Sequence, residues 1–228
     1  EVRKPAKKVA ILSITSNRGL CGAFNTNIIK RTENIMEREK SEGRDVELLL
    51  VGKKGMSYFK FVGAEILKSF PDITDTPTFD NAKEIANLII KLYEEKKVDT
   101  VFLVFNHFKS LMEQRPIEYR VLPIKEEGVT REEEGEEKKL FEYIFEPSAE
   151  KILFHLLPTY IETLVFRALL ESVASEHAAR RAAMKAATDN AKEMINLLTL
   201  TYNKARQSQI TQEITEIVTS AEAIRSNN

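Results

Sequence analysis

The fold is decided at residues 9–22, which read VAILSITSNRGLCG. The first seven of these residues form a mostly apolar run, and the polar turn behind them contains two glycines. A continuous apolar run bounded by turn residues predicts a strand that is buried on both faces. Apolar residues at helical spacing then run from Ile28 to Met36, so this stretch predicts a strand, a turn and a helix in succession.

The same alternation continues to residue 105. Further strands are predicted at 46–51, 65–70 and 99–105, and helices at 53–62 and 81–97. Strands connected by helices run parallel and are covered on both faces. The pattern therefore predicts an α/β fold, a Rossmann-like and mostly parallel sheet with helices on both faces, in a domain of residues 1–146. Two more strands are predicted at 115–124 and 140–146, on either side of an acidic segment at 125–139 that we expect to be solvated.

The rest of the chain differs in composition. All eight glycines and all seven prolines lie at or before Pro158, so the last 70 residues contain neither. Because chain reversal relies on these two residues, we predict one very long C-terminal helix in a second domain of residues 147–228. Pro158 also permits a separate helix start after Leu157. No run approaches the roughly 18 apolar residues that a membrane span needs, so we expect no transmembrane segment.

The long helix carries two apolar seams that repeat at alternating steps of three and four residues, as in a coiled coil. Their members are Ala191, Met194, Leu198, Thr201 and Ala205, then Ile210, Ile214, Ile217, Ala221 and Ile224. The step of five residues between the seams breaks the register, which indicates a change of winding or of partner. Residues 177–206 carry six Lys or Arg against two acidic residues, a charge that suits an acidic partner. One helix cannot bury these seams, so a second copy, another subunit or an N-terminal helix must cover them.

Few residues suggest chemistry at a site. Gly19 and Gly22 lack the third glycine of a dinucleotide loop and the Lys and Ser or Thr of a phosphate loop, so a tight turn capped by polar side chains is the simpler interpretation. Cys21 has no identifiable base beside it. The three histidines are not spaced as metal ligands: His107, His155 and His177. With a formal net charge of −1 we also expect no nucleic-acid partner, and we expect no catalytic residue, metal or cofactor.

Three functions fit these features. The chain can be a non-catalytic mechanical subunit whose helix is enclosed by partners. It can be a Rossmann-type nucleotide-binding enzyme that dimerises through its C-terminal helix, an idea supported by the α/β layer and the two loop glycines. It can also be a coiled-coil scaffold. The uncovered seams alone do not decide among the three.

Two sequence motifs resemble one family, the gamma subunit of rotary ATP synthases. The first motif is TSNRGLCGAFNTN at residues 15–27, and the second comprises EHAARRAAMKAATDNA at 176–191, YNKARQ at 202–207 and ITQEI at 210–214. The resemblance implies a non-catalytic central shaft that rotates within a ring of three alpha and three beta subunits. It couples proton flow through the membrane c-ring to ATP synthesis or hydrolysis at the beta subunits. The Rossmann-like domain binds no nucleotide in that family and lies near the epsilon subunit and the c-ring.

The contact residues of the family carry over by motif. Arg206 and Gln207 match a pair that bonds to a catch loop of the catalytic beta subunit, Thr211 lies in the neighbouring turn, and Arg180 matches a shaft position implicated in coupling. The apolar tip that turns in the bearing of the ring matches Ile210, Ile214, Ile217, Ala221 and Ile224. The resemblance also implies a peripheral place on the cytoplasmic face of a bacterial inner membrane. The N-terminal helix of the family has no counterpart in residues 1–228, so we expect that partner helix to be missing from this chain.

Overall fold

The computed structural model describes residues 7–73, 75–124 and 149–226. Its elements follow in chain order: β1 (Lys8–Ile14), α1 (Phe24–Ser41), β2 (Asp45–Val51), α2 (Lys53–Val62), β3 (Ile66–Phe70), α3 (Phe79–Glu94), β4 (Thr100–Phe108), β5 (Gln114–Leu122) and α4 (Ala149–Ser226). The predicted strand at 140–146 and the acidic segment at 125–139 lie outside the described residues. The other predicted strands and helices are present, with ends a few residues from those expected.

The sheet has five strands in the order β3-β2-β1-β4-β5. β1 pairs in parallel with both β2 and β4, and β2 pairs in parallel with β3. β5 is antiparallel to β4 because a tight turn at Ser110–Glu113 joins the two strands without a crossover helix. The predicted Rossmann-like, mostly parallel sheet is confirmed. Its order changes direction between β1 and β4.

The central strand β1 divides its side chains between two apolar cores. Ala10, Leu12 and Ile14 lie in one core, together with residues of α3 and α4. Val9 and Ile11 lie in the other core, together with residues of α1 and α2. Complete burial of a Leu or Ile side chain contributes roughly 1.5–3 kcal/mol, so both layers of helices are held mainly by these contacts. Helices therefore cover both faces of the sheet, as predicted.

α4 is one helix of 78 residues that continues through Pro158. The separate helix start after Leu157 therefore does not occur. Proline has a φ close to the helical value, so its ring removes one backbone hydrogen bond without forcing the helix to end. Ile161 and Val165 follow within two turns and are buried in the core with α3 and the sheet, and this packing offsets the lost bond. The long C-terminal helix expected from the sequence is confirmed.

The chain divides into two compact units, Glu1–Ala182 and Ala183–Asn228. The first unit contains the sheet, α1 to α3 and the part of α4 that packs on the sheet. The second unit consists of the remaining turns of α4, in which the side chains from Met184 to Arg225 are all exposed. The domain limit expected between residues 146 and 147 lies outside the described residues and stays a prediction.

Candidate functional site

The carboxyl ends of β1 and β4 lie side by side where the strand order changes direction. Open α/β sheets bind their ligands in the crevice at this point. In the first unit, three segments of the chain meet here: the loop at residues 15–22, the end of β4 at Asn106 and His107, and α4 residues 169–180. The contacts among them decide what this crevice can hold.

The loop after β1 is folded by side-chain hydrogen bonds. The backbone N–H of Ser16 donates to the amide oxygen of Asn25 at 2.9 Å, and the amide nitrogen of Asn25 donates to the Ser16 hydroxyl at 2.8 Å. The same nitrogen lies 3.3 Å from the thiol of Cys21, which is buried. Leu20 is held at φ 61° with 76% of its surface exposed. The two glycines of the sequence motif therefore belong to a tight polar turn.

This loop also occupies the N-terminus of α2. The first three N–H groups of a helix have no partner within the helix and can bind an anion. In α2 they belong to Lys53, Lys54 and Gly55, and they donate at 2.9 to 3.1 Å to the chain itself. The acceptors are Asn17 Oδ1, Ser16 O and Thr15 Oγ1. A phosphate could bind here only by displacing these hydrogen bonds.

α4 lies across the crevice. Leu169, Ser172 and Glu176 of α4 line the same small gap as Ile14 and Thr15 at the end of β1. At the neighbouring strand end, the hydroxyl of Ser175 donates to the backbone oxygen of Asn106 at 3.2 Å, and Ser175 is completely buried. In this chain, α4 therefore occupies the place where a Rossmann-type enzyme binds a dinucleotide. The nucleotide-binding alternative is not supported.

A charged contact ties α4 to the end of β4. The imidazole Nδ1 of His107 is hydrogen-bonded to the carboxylate of Glu171, whose other oxygen accepts from Arg167 Nε at 2.7 Å. Partial burial raises the pKa of the Glu171 carboxyl, but the hydrogen bonds from Arg167 and His107 outweigh it, so this pKa lies below its usual range. Because an ionised carboxylate only accepts hydrogen bonds, the imidazole donates through Nδ1–H.

A second charged contact ties α4 to the loop after β1. Arg180 Nη2 donates to Glu176 at 2.6 Å and to the backbone oxygen of Gly19 at 3.3 Å. The Glu176 side chain is 5% exposed and that of Arg180 is 25% exposed. The guanidinium of Arg180, which the sequence predicts to contact a partner subunit, is thus engaged within the chain. Its contact with a partner stays a prediction.

The remaining predicted contact residues lie in the second unit. Arg206 and Gln207 are exposed, and within the described residues the Arg206 guanidinium has no hydrogen bond or ion pair. The hydroxyl of Thr211 donates to the backbone oxygen of Gln207 at 2.9 Å, one turn earlier. The structure therefore puts these three side chains on adjacent turns of one helix. It contains no partner that would test their contacts.

The predicted bearing tip is an exposed apolar face. Ile210, Ile214, Ile217 and Ile224 expose 43%, 56%, 68% and 70% of their surface. Ile217, Ala221 and Ile224 line one side of a shallow groove with Glu213 and Glu216. Exposed apolar surface of this extent is typical of a surface that a partner covers.

The residues singled out for metal or thiol chemistry lie apart. Among the described residues, no group of three or more His, Cys, Asp and Glu side chains could hold a metal ion. His107 pairs with Glu171, His177 is exposed on α4, and the side chain of His155 lies outside the described residues. Between α3, the end of β5 and the start of α4 lies an open groove of about 550 Å³ with a mostly apolar lining.

By length and composition alone, α4 could cross a membrane. Within Ile152–Arg225 it contains a window of 18 residues with a mean hydropathy of 1.3. A helix that covers the core of a soluble protein passes the same test, and Ile161, Val165 and Leu169 of this helix are buried in the core with the sheet. Packing therefore accounts for part of the apolar character of this window, of which 24% is buried.

Sequence reasoning missed the contact between His107 and Glu171. The pairs Arg167–Glu171 and Glu176–Arg180 have the spacing of neighbours on a helix and could have been found from the sequence. Nothing in the sequence indicates that His107 meets Glu171, because 64 residues separate them.

Comparison with known proteins gives a consistent result. A family model described as ATP synthase matches residues 1–224. The chain is 44% identical over 225 residues to the ATP synthase gamma chain of Streptomyces coelicolor, which covers 97% of this chain and 74% of that protein. It is 46% identical over 223 residues to the ATP synthase gamma chain of Desulfitobacterium hafniense, with 98% and 75% covered.

Solved structures agree at the level of the fold. A chain from the central stalk and c-ring of the Tetrahymena thermophila mitochondrial ATP synthase matches with a TM-score of 0.62 and 25% identity, over 82% of this chain and 79% of that chain. A chain from an OSCP, F1 and c-ring structure of the Euglena gracilis mitochondrial ATP synthase matches with a TM-score of 0.70 and 21% identity, over 97% and 74%.

A mostly parallel five-stranded sheet, covered by helices and followed by one very long helix, is a fold that this chain shares with the chain from the central stalk and c-ring of Tetrahymena thermophila. The chain belongs to the ATP synthase gamma-chain family and is a rotor subunit of that enzyme complex.

Proposed function

We propose that this chain is a non-catalytic part of a proton-translocating ATP synthase. It rotates inside a ring of three alpha and three beta subunits and couples proton flow through the c-ring to ATP synthesis or hydrolysis at the beta subunits. The observation that carries this proposal is the ligand crevice of the Rossmann-like sheet, which is filled by Leu169, Ser172 and Glu176 of the chain's own helix. Part of α4 occupies the crevice in which a substrate would bind. The role of the sheet is therefore to support α4.

The contact with the ring is assigned to the second unit. Arg206 and Gln207 bind a loop of one catalytic beta subunit, with Thr211 one turn further along, and the residues from Ile210 to Ile224 turn in an apolar bearing. The exposed isoleucines support this assignment, since water-exposed apolar helix faces are stable only when a partner covers them. The guanidinium of Arg206 supports it as well, because it has no hydrogen bond or ion pair within the described part of the chain and is available to carbonyl or carboxylate groups of a partner.

The Rossmann-like domain is assigned to the foot of the rotor, near the epsilon subunit and the c-ring. The chain is then a peripheral subunit on the cytoplasmic face of a bacterial inner membrane. This location is supported by the similarity to gamma chains of two bacteria, Streptomyces coelicolor and Desulfitobacterium hafniense.

The contact assignment is tested with the double variant Arg206→Ala with Gln207→Ala. The full chain is assembled with alpha and beta subunits, and the ATPase rate is measured. Removing two hydrogen-bonding side chains, one of them charged, costs about 2–4 kcal/mol of contact free energy. We expect a fall in ATPase rate of at least about tenfold, with an unchanged melting temperature of the free chain.

The matched control is Lys204→Ala with Gln209→Ala, which removes one cation and one amide from the same exposed part of α4. It is expected to retain most of the activity. If both double variants behave alike, or if the first leaves ATPase and assembly unchanged, the contact assignment is wrong.

A further inference from the structure

The polar contacts of α4 with the sheet come from two sides of the helix. On the β4 side, His107 binds Glu171, and Ser175 binds the backbone of Asn106. On the side of the loop after β1, Arg180 binds the backbone of Gly19. An α-helix turns 100° per residue, so Glu171 and Arg180 lie about 180° apart around the axis. The helix is thus held by directional bonds on opposite sides.

The apolar contacts beneath the helix provide a different kind of restraint. Of the six buried residues of α4 between 168 and 178, two are large, Leu169 and Glu176, and four are small, Ala168, Ser172, Ser175 and Ala178. Such a face packs closely but has few protrusions, and apolar attraction is non-directional. This packing opposes separation of the helix from the sheet more strongly than it opposes rotation of the helix about its own axis. Resistance to that rotation must come from bonds with fixed geometry.

The three polar contacts are shielded from water to different degrees. Ser175 is completely buried. The side chain of Glu171 is 16% exposed, but those of its partner His107 and of Arg180 are 40% and 25% exposed. Hydrogen bonds to ionised groups are stronger than neutral ones, particularly when water is excluded. Two of the three contacts, those of Glu171 and Arg180, are of this kind.

We propose that these contacts form a torque clamp, in which His107 is a positioning residue that fixes the rotational setting of α4 through Glu171. The clamp transmits torque between α4 and the sheet, so that both turn as one body. This inference builds on the rotor function, because only a rotating subunit has to carry torque across this contact. It assigns a role to a histidine whose imidazole is hydrogen-bonded, among the described residues, to Glu171 alone.

The test uses the full chain assembled with alpha and beta subunits, with a bead attached to the sheet domain through Phe61→Cys. Phe61 is 90% exposed, whereas the native Cys21 is buried and does not compete for the label. Angular fluctuations of the bead are recorded during the pauses in which the complex waits for ATP, when the ring holds the helix. These fluctuations measure the torsional stiffness between ring and bead.

Two variants of His107 separate the hydrogen bond from the bulk of the ring. His107→Leu removes the donor and is expected to raise the variance of the bead angle by up to about 1.5-fold, because one of three directional contacts is lost. His107→Asn, whose amide nitrogen takes the place of the imidazole Nδ1, restores this N–H donor and is expected to return the variance to the value of the unsubstituted chain. His177→Leu, a change at an exposed histidine of the same helix, serves as the control and should have no effect.

The outcomes are distinct. If His107→Leu melts like the unsubstituted chain but has wider fluctuations, and His107→Asn rescues them, the clamp is established. If His107→Leu leaves the fluctuations unchanged, or if asparagine fails to rescue them, the clamp is wrong while the rotor function stands. If the bead does not turn even with unsubstituted His107, although the complex hydrolyses ATP, the rotor function fails and the clamp fails with it.

Discussion

At the scale of single residues, Gly52 shows how closely the loop after β1 packs on α2. A Cβ atom at this position would lie 2.1 Å from the backbone oxygen of Thr15, and the φ of Gly52 is 89°. Two independent penalties therefore apply to any larger residue, a strained backbone and a clash with main chain that cannot move. Only glycine allows the end of β1 and the start of α2 to approach this closely.

Gly52→Ala is expected to lower the free energy of unfolding by about 3 kcal/mol or more, from the left-handed backbone and the overpacking combined. Gly43→Ala is the matched control, because Gly43 also has a positive φ of 75° but has no atom within 4 Å of its Cβ position. It should cost only about 1–2 kcal/mol. Urea unfolding of the full chain measures both values, and equal losses would show that the contact with Thr15 is not tight.

The pair of Glu176 and Arg180 leads to a second prediction at this scale. Arg180→Met leaves the carboxylate of Glu176 buried without its cation, which is expected to destabilise the chain by about 3 kcal/mol. Adding Glu176→Gln removes the buried charge and should recover part of this loss. Arg181→Met, at an exposed neighbouring position, should change stability by less than about 0.5 kcal/mol. A loss at Arg180 no larger than that at Arg181 would contradict the proposed burial of the pair.

At the scale of elements, the strands and helices were predictable because their patterns are physically simple. A parallel strand that is covered on both faces reads as a mostly apolar run, as Val9–Ile14 and Val46–Val51 do apart from Ser13 and Glu47. After Pro158 the helix contains neither Gly nor Pro, which accounts for the uninterrupted length of α4 beyond that point. The passage of α4 through Pro158 was not predictable, because it depends on packing in the core with the sheet, which lies far away in the sequence.

The predicted contact residues of α4 show the same division. Motif spacing places Arg206, Gln207 and Thr211 on adjacent turns, and the helix confirms that arrangement. The engagement of Arg180 by Gly19 could not be predicted, because it depends on how the loop after β1 folds. Long-range contacts of this kind are set by tertiary structure and leave no local signal.

The contact between α4 and β4 is expected to respond to pH. The pKa of Glu171 is lowered in the folded chain, so its ionised form stabilises the fold above the unfolded value of about 4.3. As pH falls through the folded pKa, the carboxylate is protonated and this contribution is lost.

Glu171→Gln should therefore be less stable than the unsubstituted chain at pH 7, and the difference should shrink as pH is lowered below about 4.3. Urea unfolding at a series of pH values between 7 and 3 measures it. Glu222→Gln, at an exposed carboxylate of the same helix, is the control. A difference that stays constant over the series would show that the ionised form of Glu171 does not contribute.

At the scale of the whole molecule, the chain combines two features. The ligand crevice of its sheet is filled, and the side chains of α4 from Met184 to Arg225 are exposed. Neither unit has an evident use alone. The sheet holds α4 through residues 169–180, and the exposed seams from Ala191 to Ile224 require covering partners. Family membership explains this combination, because a rotor subunit needs a domain that holds its helix firmly and a helix surface that contacts the surrounding ring.

The most direct measurement follows the rotation itself. The alpha and beta subunits are fixed to a surface, the full chain carries a bead on its sheet domain, and ATP is added. The bead is expected to turn in one direction, with pauses that lengthen as the ATP concentration falls. A complex that hydrolyses ATP while the bead stays still would contradict the account.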